Sequence, residues 1–503
     1  MLKTVSKDIE QNLAYLKERL IDCDDIIYRQ IEVTNKVKRK LLFVLIDGLA
    51  FKDQLSDFVI ENLMEKSNTD HEVEIDNLKD EILNQMIKEE IASVEIKEEG
   101  NFEELITALL SGETLFFIDG IDRAIIIGSR GWVLRGINEP QTETVIRGPR
   151  DGFTETLRTN TALVRRRIKD TNLKIKMKKV GSRSKTDIAI LYIADIANEN
   201  LKNEVERRID QIDIDAILDS SMLEHLIEDN YKSLFPQMEN TERPDSVSAS
   251  LYEGRVAIIV DNSPFVLIVP ATLGTLMQST EDYYSRWTEA TITRFIRMVA
   301  VFLALLSPAI YIAITAYHPG LLPTKLVYYV GSSRVNVPFP AVIEATIMEI
   351  TMELIREAGT RISGPIGSTI GIVGGLIIGQ AAVEAGIVSN LMIIIVAITS
   401  IATFAIPSYE FGAAIRICKF GFIILAGILG LYGIMLGIIL FFSHLCMLNS
   451  FDTPLTAPYS GLGIEEGDIK DTLFKAPIQS LWQRPGFTKP KNKNRMKREK
   501  KNE

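Results

Sequence analysis

The residues of this sequence best suited to chemistry are carboxylates spaced along one face of a helix. Glu349 and Glu353 lie four positions apart, with Thr346 before them and Glu357 after them. At 3.6 residues per turn these side chains fall within roughly a 100° stripe, with Ile, Met, Leu and Ala over most of the remaining surface and Glu344 as an outlier. Because rings of carboxylates favour cations, this stripe is the first candidate site.

Two interpretations of the segment 341–360 that carries the stripe stay open. The segment can lie in a membrane interface as an amphipathic helix, with its apolar side in lipid. Alternatively, the acidic stripe lines a water-filled path, because carboxylates at membrane depth normally face a cavity. The spacing alone does not choose between them.

A second charged group lies in the stretch 147–168, RGPRDGFTETLRTNTALVRRRI. Its Gly-Pro and Asp-Gly pairs predict a loop, and Thr154 is predicted to cap the helix that follows. The cationic residues of the stretch are Arg147, Arg150, Arg158, Arg165, Arg166 and Arg167. They can bind an anion near a helix N-terminus or form a salt-bridged surface with an acidic neighbour or subunit. Since no GxxxxGK[ST] or GxGxxG motif accompanies them, we favour the second interpretation.

Catalytic and metal-binding patterns are missing from the sequence. The four histidines are dispersed, and Cys23, Cys418 and Cys446 form neither a disulfide framework nor a CxxC metal pair. The sequence contains no nucleophile–base pairing, metal-ligand spacing or phosphate-loop motif. We therefore expect no enzyme activity, cofactor, metal or nucleic-acid partner.

The acidic stripe belongs to a long apolar block that must position it. Four runs of this block contain no Asp, Glu, Lys or Arg, at 298–317, 366–383, 385–409 and 420–443. A run of about 18 or more such residues is long enough to cross the hydrocarbon core as a helix. We predict a helical transmembrane domain with about four crossings, plus the amphipathic membrane helix 341–360.

Small residues recur at a regular spacing in the second of these runs. Gly367, Gly371, Gly375 and Gly379 are four positions apart and share one helix face. Such a face lets another backbone approach closely, which predicts a tight helix–helix or subunit contact. Further glycines at 430–437 predict a second, weaker packing face.

Basic residues predict the orientation of the crossings. The tail at 489–503 carries 8 basic residues against 2 acidic, and arginines also precede the first crossing. Both termini are therefore predicted to be cytoplasmic, which requires an even number of crossings. Four crossings satisfy this requirement if 341–360 does not span the membrane. Arg416 and Lys419 then fall in a loop outside the cytoplasm, although basic residues prefer cytoplasmic loops. We expect the basic tail to be solvated and flexible.

The part before residue 295 is predicted to be a soluble α/β or α+β cytoplasmic region. Strands are predicted at 40–48 and 186–193, strand pairs at 114–127 and 256–269, and an amphipathic helix at 198–212. The predicted domains are an acidic, helix-rich subdomain at 1–100, an α/β subdomain at 101–294, the helical transmembrane domain at 295–448 and the basic tail at 449–503.

Motifs in a fixed order along the chain resemble the spore germination receptor A-subunit family, the GerA-type proteins of endospore-forming bacteria. The motifs are the arginine-rich stretch at 147–168, FPQ at 235–237, TERPD at 241–245, VPFPAVIEATIMEI at 337–350, REAGTRISGPIG at 356–367 and IGIVGGLIIGQAAV at 370–383. The match runs from about residue 114 to 460. The stage V sporulation protein AF, a paralogue in the same family, shares these motifs.

The resemblance implies a place in the inner membrane of a dormant spore, in complex with a transporter-like B subunit and a lipoprotein C subunit. It also implies triggering by small nutrients, and an A subunit that oligomerises and forms the ion path. Glu349 and Glu353, with Thr346 and Glu357, would line this path. The alternative is a scaffold or signalling subunit without a pore, which binds partners through the arginine patch. The basic tail could also contact anionic membrane lipid.

Overall fold

The protein consists of two compact units. Its structure, a computed structural model, describes residues 4–34, 38–50, 96–129, 139–361, 379–461 and 468–496. The sheet unit contains residues 1–228, 240–270 and 482–503, and the helical unit contains residues 229–239 and 271–481. Each unit is thus assembled from segments that are distant in sequence.

The sheet unit begins with a five-stranded antiparallel sheet whose order is β1-β2-β4-β5-β3. Its elements are α1 (Ile9–Arg19), β1 (Ile26–Thr34), β2 (Lys38–Ile46), β3 (Ile96–Glu99), α2 (Phe102–Leu110), β4 (Thr114–Ile118) and β5 (Ala124–Ile127). Alternate residues Leu42, Val44 and Ile46 of β2 pack with α1 and α2 in one apolar core. The strand predicted at 40–48 and the strand pair at 114–127 are confirmed.

A second five-stranded sheet follows, with the order β6-β7-β9-β10-β8. Its elements are α3 (Leu157–Arg167), β6 (Leu173–Val180), β7 (Thr186–Ile193), α4 (Glu199–Asp210), α5 (Ser220–Ile227), β8 (Glu239–Thr241), α6 (Pro244–Tyr252), β9 (Val256–Val260) and β10 (Val266–Val269). Val164 of α3 and Leu251 of α6 pack with Leu191 and Ile259 on one face. The predictions at 186–193, 198–212 and 256–269 are confirmed.

The two sheets repeat one arrangement. In each, the five strands taken in chain order lie side by side as first, second, fourth, fifth and third. In each, one helix precedes the first strand and another lies between the third and fourth strands, and both helices contribute to one core. The sequence patterns predicted strands and helices but did not predict this repetition.

The helix of the arginine-rich stretch begins later than predicted. Helix α3 starts at Leu157, its N-cap is Thr156, and the side chain of Thr156 makes no capping bond. The backbone N–H of Leu157 instead donates to Asp261 Oδ1 at 3.0 Å. The prediction of Thr154 as the cap was wrong because the capping group comes from a turn that is distant in sequence.

The described part of the basic tail, residues 482–496, packs onto the sheet unit. Phe487 and Thr488 are buried, Arg484 Nε donates to Tyr252 O at 2.7 Å, and Lys491 N donates to Ile196 O at 2.9 Å. Residues 491–496 are exposed, as expected of a solvated tail, but the backbone bond from Lys491 attaches the start of the predicted tail at 489–503 to the sheet unit. Apolar Phe487 lies among the basic residues and supplies the anchor that the charge count did not reveal.

The helical unit is built around one long helix. Its main helices are α7 (Leu273–Leu276), α8 (Glu281–Tyr284), α9 (Trp287–Ala316), α10 (Thr324–Arg334), α11 (Ala341–Arg361), α12 (Asn390–Phe404), α13 (Tyr409–Leu429) and α14 (Leu431–Met447). Helix α9 packs against α11, α12, α13 and α14. Ala300, Ala304 and Ala309 of α9 are buried in the shared core, so that small side chains allow these helices to approach closely.

The predicted crossing at 420–443 is divided between two helices. Gly430, with a φ of 60°, separates α13 from α14. A Cβ on Gly433 would collide with the backbone of Leu425, and one on Gly437 would lie 2.8 Å from the Phe422 ring, so α14 folds back along α13. Arg416 and Lys419 lie inside α13 and not in a loop, which corrects the loop prediction.

Two helices of the described residues, α9 and α13, are long and apolar enough to cross a membrane, whereas α12 and α14 are shorter apolar helices. The predicted α/β region followed by a helical region is confirmed, and the count of four crossings stays a prediction. Most of the predicted crossing at 366–383 lies outside the described residues. Many large apolar side chains of these helices face outward, among them Phe302, Ile401 and Ile424.

Candidate functional site: a charge cluster among apolar helices

Glu349 is buried in the helical unit and paired with a lysine from another helix. Glu349 is 0% exposed and Lys419 is 2% exposed. The Lys419 ammonium donates a hydrogen bond to Glu349 Oε2. The other carboxylate oxygen, Glu349 Oε1, has no hydrogen-bond partner within the described residues. The contact joins α11, which carries the carboxylate, to α13, which carries the ammonium.

Glu353, one turn further along α11, extends this pair into a cluster. Its Oε1 lies 3.9 Å from Lys419 Nζ, and both of its carboxylate oxygens accept from Arg356 Nη1 at 3.2 Å. Arg416 Nε lies 3.6 Å from its Oε2. We call these five residues, Glu349, Glu353, Arg356, Arg416 and Lys419, the α11–α13 charge cluster. Two carboxylates are thus compensated by three cations of the same chain.

The other two residues predicted for an ion path are placed differently. Thr346 is half-buried, and its hydroxyl donates to Val342 O of its own helix at 2.8 Å. Glu357 is exposed near the end of α11. The predicted stripe therefore runs from a buried half to an exposed half along one helix, and its role as an ion path stays a prediction.

Glu344, the outlier of the stripe, has partners of its own. It is fully buried, accepts from Arg334 Nη2 at 2.7 Å, and accepts from the backbone N–H of Ser389 at 3.1 Å. Ser389 is the N-cap of α12, and a carboxylate at a helix N-terminus is stabilised by the helix dipole. Glu344 therefore ties α10 and α12 to α11.

In the sheet unit, Arg165 forms a fully buried ion pair. Its Nε and Nη2 donate to the two oxygens of Asp25, each at 2.9 Å, and Nη1 donates to Leu173 O at 2.9 Å. Burial by itself lowers the pKa of the Arg165 guanidinium, but the Asp25 carboxylate more than offsets burial, so the pKa lies above its ordinary value. The pair connects the first sheet to α3, and burial raises the pKa of the neighbouring Cys23 thiol.

The remaining arginines of the patch make mostly local contacts. Arg167 contacts Asp151 at 2.6 Å, Arg158 contacts Asp47 at 2.6 Å, and Arg150 contacts Glu139 at 3.2 Å. Arg147 and Arg166 are exposed. Asp151, Asp47 and Glu139 belong to the same unit as these arginines, and the role of the patch in partner or subunit contact stays a prediction.

The predicted glycine face lies largely outside the described residues. Gly367, Gly371 and Gly375 fall in the range that is not described. Gly379 is buried, and a Cβ on it would lie 3.7 Å from Ile393 of α12. The predicted packing role of the four glycines stays a prediction.

The FPQ motif is part of the helical unit although it interrupts the sheet unit in sequence. The Phe235 ring lies 5.9 Å from the Phe411 ring, 5.6 Å from the Phe441 ring and 5.9 Å from the His444 ring. Asp229 Oδ2 also accepts from Phe451 N at 2.8 Å. This segment is thereby anchored where α13 begins and α14 ends.

Two of the arginines that precede the first predicted crossing, Arg294 and Arg297, are buried and paired in α9, whereas Arg286 is exposed. Asp282 Oδ2 accepts from Arg294 Nε at 3.2 Å and from Arg297 Nη1 at 2.6 Å. Lys475 donates to the backbone carbonyl of Asp282, and burial together with the nearby Arg294 lowers the Lys475 pKa. These arginines therefore have a structural role in addition to any contact with lipid.

Sequence reasoning missed the cationic half of the α11–α13 charge cluster. Arg416 and Lys419 interrupt the apolar pattern between two predicted crossings, which led to their assignment to a loop. The signal that could have found them is the presence of unpaired carboxylates on a nearby apolar segment, because charges at membrane depth normally pair with one another. Within the described ranges, no group of three or more His, Cys, Asp or Glu could hold a metal ion.

An α/β unit joined to apolar helices with a buried charge cluster defines a membrane-associated protein. The profile of the Bacillus/Clostridium GerA spore germination protein family matches residues 14–487. Spore germination protein KA of Bacillus subtilis (strain 168) is 41% identical over 494 residues, which cover 98% of this chain and 88% of that protein. The uncharacterized membrane protein YfkQ of the same strain is 41% identical over 484 residues, or 96% of this chain and 92% of that protein.

The chain therefore belongs to the GerA spore germination protein family. Among solved structures, it is similar to the N-terminal domain of the A subunit of the Bacillus megaterium spore germinant receptor GerK3. That chain is 30% identical with a TM-score of 0.41, and the similarity covers 54% of this chain and 98% of that chain.

Proposed function

We propose that this chain is the A subunit of a nutrient germinant receptor in the spore inner membrane, where it oligomerises to form or gate a cation-conducting path. Family membership supports the receptor role. The observation that carries the ion path is Glu349, a fully buried carboxylate one turn from Glu353, with one oxygen that has no partner in the described part of the chain. A buried acidic group among apolar helices normally marks an ion or proton pathway.

The same proposal includes partners and topology. A transporter-like B subunit, a lipoprotein C subunit and further copies of this chain complete the receptor. The chain crosses the membrane about four times, with both termini in the cytoplasm, and it has no enzymatic role. The proposed domains are 1–100, 101–294, 295–448 and 449–503.

A second candidate function is a non-conducting scaffold or signalling subunit. The observation that favours it is the compensation of Glu349 and Glu353 by Lys419, Arg356 and Arg416, since a purely structural cluster would have the same composition. In this case the ion flow belongs to the B subunit. Exposed Arg147 and Arg166 then offer the contact to partners.

The two functions are separated by cation flux through the purified receptor in lipid vesicles. We expect that nutrient-triggered Rb⁺ flux through Glu349→Gln/Glu353→Gln loses its preference for cations over Cl⁻, because the carboxylates that attract cations are gone. Glu384→Gln, which neutralises an exposed carboxylate elsewhere in the helical unit, serves as the matched control and keeps the preference.

If the double variant assembles well and its selectivity is unchanged, the ion path does not run past these carboxylates of this chain. In that case Arg147→Glu/Arg166→Glu tests the scaffold function in a pull-down with the B and C subunits. Loss of the complex would support the scaffold, and an intact complex would exclude this patch as the docking surface.

A further inference from the structure

Lys419 is an unusual occupant of an apolar helix. It stands at the middle of α13 (Tyr409–Leu429), a helix long and apolar enough to cross a membrane. Its side chain is buried and does not reach either end of the helix. Lysines in spanning helices usually extend toward the interface, so a lysine held at mid-helix requires a specific partner.

The ammonium of Lys419 lies between two carboxylates of one helix. It donates to Glu349 Oε2 and lies 3.9 Å from Glu353 Oε1. Glu349 Oε1 remains buried without a hydrogen-bond partner within the described residues. Glu349 therefore has one acceptor that no described residue uses, which is the property expected of a site that can also hold a free monovalent cation.

All three cations of the cluster lie near an aromatic ring, and Lys419 Nζ lies 5.5 Å from the Phe420 ring centre. The Arg356 guanidinium lies 5.3 Å from the Phe404 ring centre, and the Arg416 guanidinium lies 5.7 Å from the Tyr409 ring centre. Both also contact Glu353. Lysine carries a compact charge on a flexible four-carbon chain, whereas the planar guanidinium is fixed by stacking and multiple donors. Lys419 contacts both carboxylates, so a displacement of its flexible side chain changes the surroundings of both.

We propose that Lys419 is a tethered cation that occupies a monovalent-cation site formed by Glu349 and Glu353 and thereby keeps the path closed. Withdrawal of the ammonium opens the two carboxylates to K⁺ or Na⁺. This inference rests on the proposed ion path and adds to it the group that closes it. A shift of α13 relative to α11 is sufficient to separate the pair, because the two charges belong to different helices.

The test is Rb⁺ uptake into phosphatidylethanolamine–phosphatidylglycerol vesicles that contain the full chain with its B and C subunits. Without nutrient, wild type is expected to stay closed, and Lys419→Gln and Lys419→Met are expected to raise the basal uptake at least about tenfold. Lys419→Arg keeps a cation at the site and stays near wild type. Glu349→Gln/Lys419→Gln falls well below Lys419→Gln, because the freed carboxylate that attracts cations is absent.

Each other outcome has a defined meaning. Assembled Lys419→Gln and Lys419→Met receptors with wild-type basal uptake overturn the inference, and a wild type that still opens with a mixture of amino acids, sugars and nucleosides leaves the proposed function standing. Failure of both variants to assemble shows that the ammonium serves structure and also overturns the inference. Absence of uptake in every variant, with or without the mixture, overturns the proposed function itself.

Discussion

In the sheet unit most large apolar side chains point inward, whereas in the helical unit many of them face outward. The strands β9 and β10 are buried along their whole length. In the helical unit, alanines of α9 fill the core, while Ile401 of α12 and Ile424 of α13 are 70% and 58% exposed. Apolar surface is stable next to lipid but not next to water, so the contrast indicates that the two units have different surroundings.

Both units nevertheless bury an ion pair, and the two pairs differ in how many carboxylate oxygens the cation contacts. The guanidinium of Arg165 meets both oxygens of Asp25. The ammonium of Lys419 meets one oxygen of Glu349 and leaves the other without a partner among the described residues. A bidentate pair adds geometric specificity that a single contact lacks. The difference favours a structural role for the first pair, whereas the role of the second in an ion path stays a proposal.

The largest expected effect concerns the pair of the sheet unit. We expect Asp25→Ala to lower the free energy of unfolding by about 3–5 kcal/mol, because it leaves the Arg165 charge buried without its carboxylate. Thermal unfolding of the full chain in detergent, followed by circular dichroism, measures this loss. Glu139→Ala, which removes an exposed partner of Arg150, is the control and costs about 1 kcal/mol or less. If the two variants lose equal free energy of unfolding, the buried pair stabilises the protein no more than the exposed pair does.

The next effect tests the different surroundings of the two units. Ile21 of the sheet unit and Ile424 of α13 are 62% and 58% exposed. We expect Ile424→Lys to oppose membrane insertion by about 2.5–3.5 kcal/mol, because the exposed face of α13 meets lipid. Ile21→Lys changes stability by about 0.5 kcal/mol or less, as expected for a site in water. The fraction of each protein that resists alkaline extraction from membranes reports the difference.

The smallest effect concerns the packing of α13 against α14. A Cβ on Gly433 would meet the backbone of Leu425, whereas one on Gly421 meets open space. We expect Gly433→Ala to cost about 1–3 kcal/mol by forcing the helices apart, and Gly421→Ala to be neutral or slightly stabilising, since alanine favours helices over glycine. Melting temperatures of the two variants in detergent give the comparison. A tolerated Gly433→Ala would contradict the close approach of α13 and α14.

Local pattern was sufficient for many elements of the fold. Apolar runs located β2, β4, β5, β9 and β10, because a strand buried on both faces is apolar throughout, and alternation located β7. The 3.6-residue spacing placed Glu349 and Glu353 on one face of a helix, which α11 confirms. These properties depend on neighbours within a few positions, so they can be read from the order of the residues alone.

Other features depended on groups that meet only after folding. Asp261 caps α3 from about a hundred positions away, Gly430 divides an apolar run because α14 returns along α13, and Lys419 reaches Glu349 from another helix. The sequence determined which charges the apolar helices carry. Which of these charges neutralise one another depends on the folded arrangement of the helices, because burial in a low-dielectric interior makes a charge depend on its nearest partner in space.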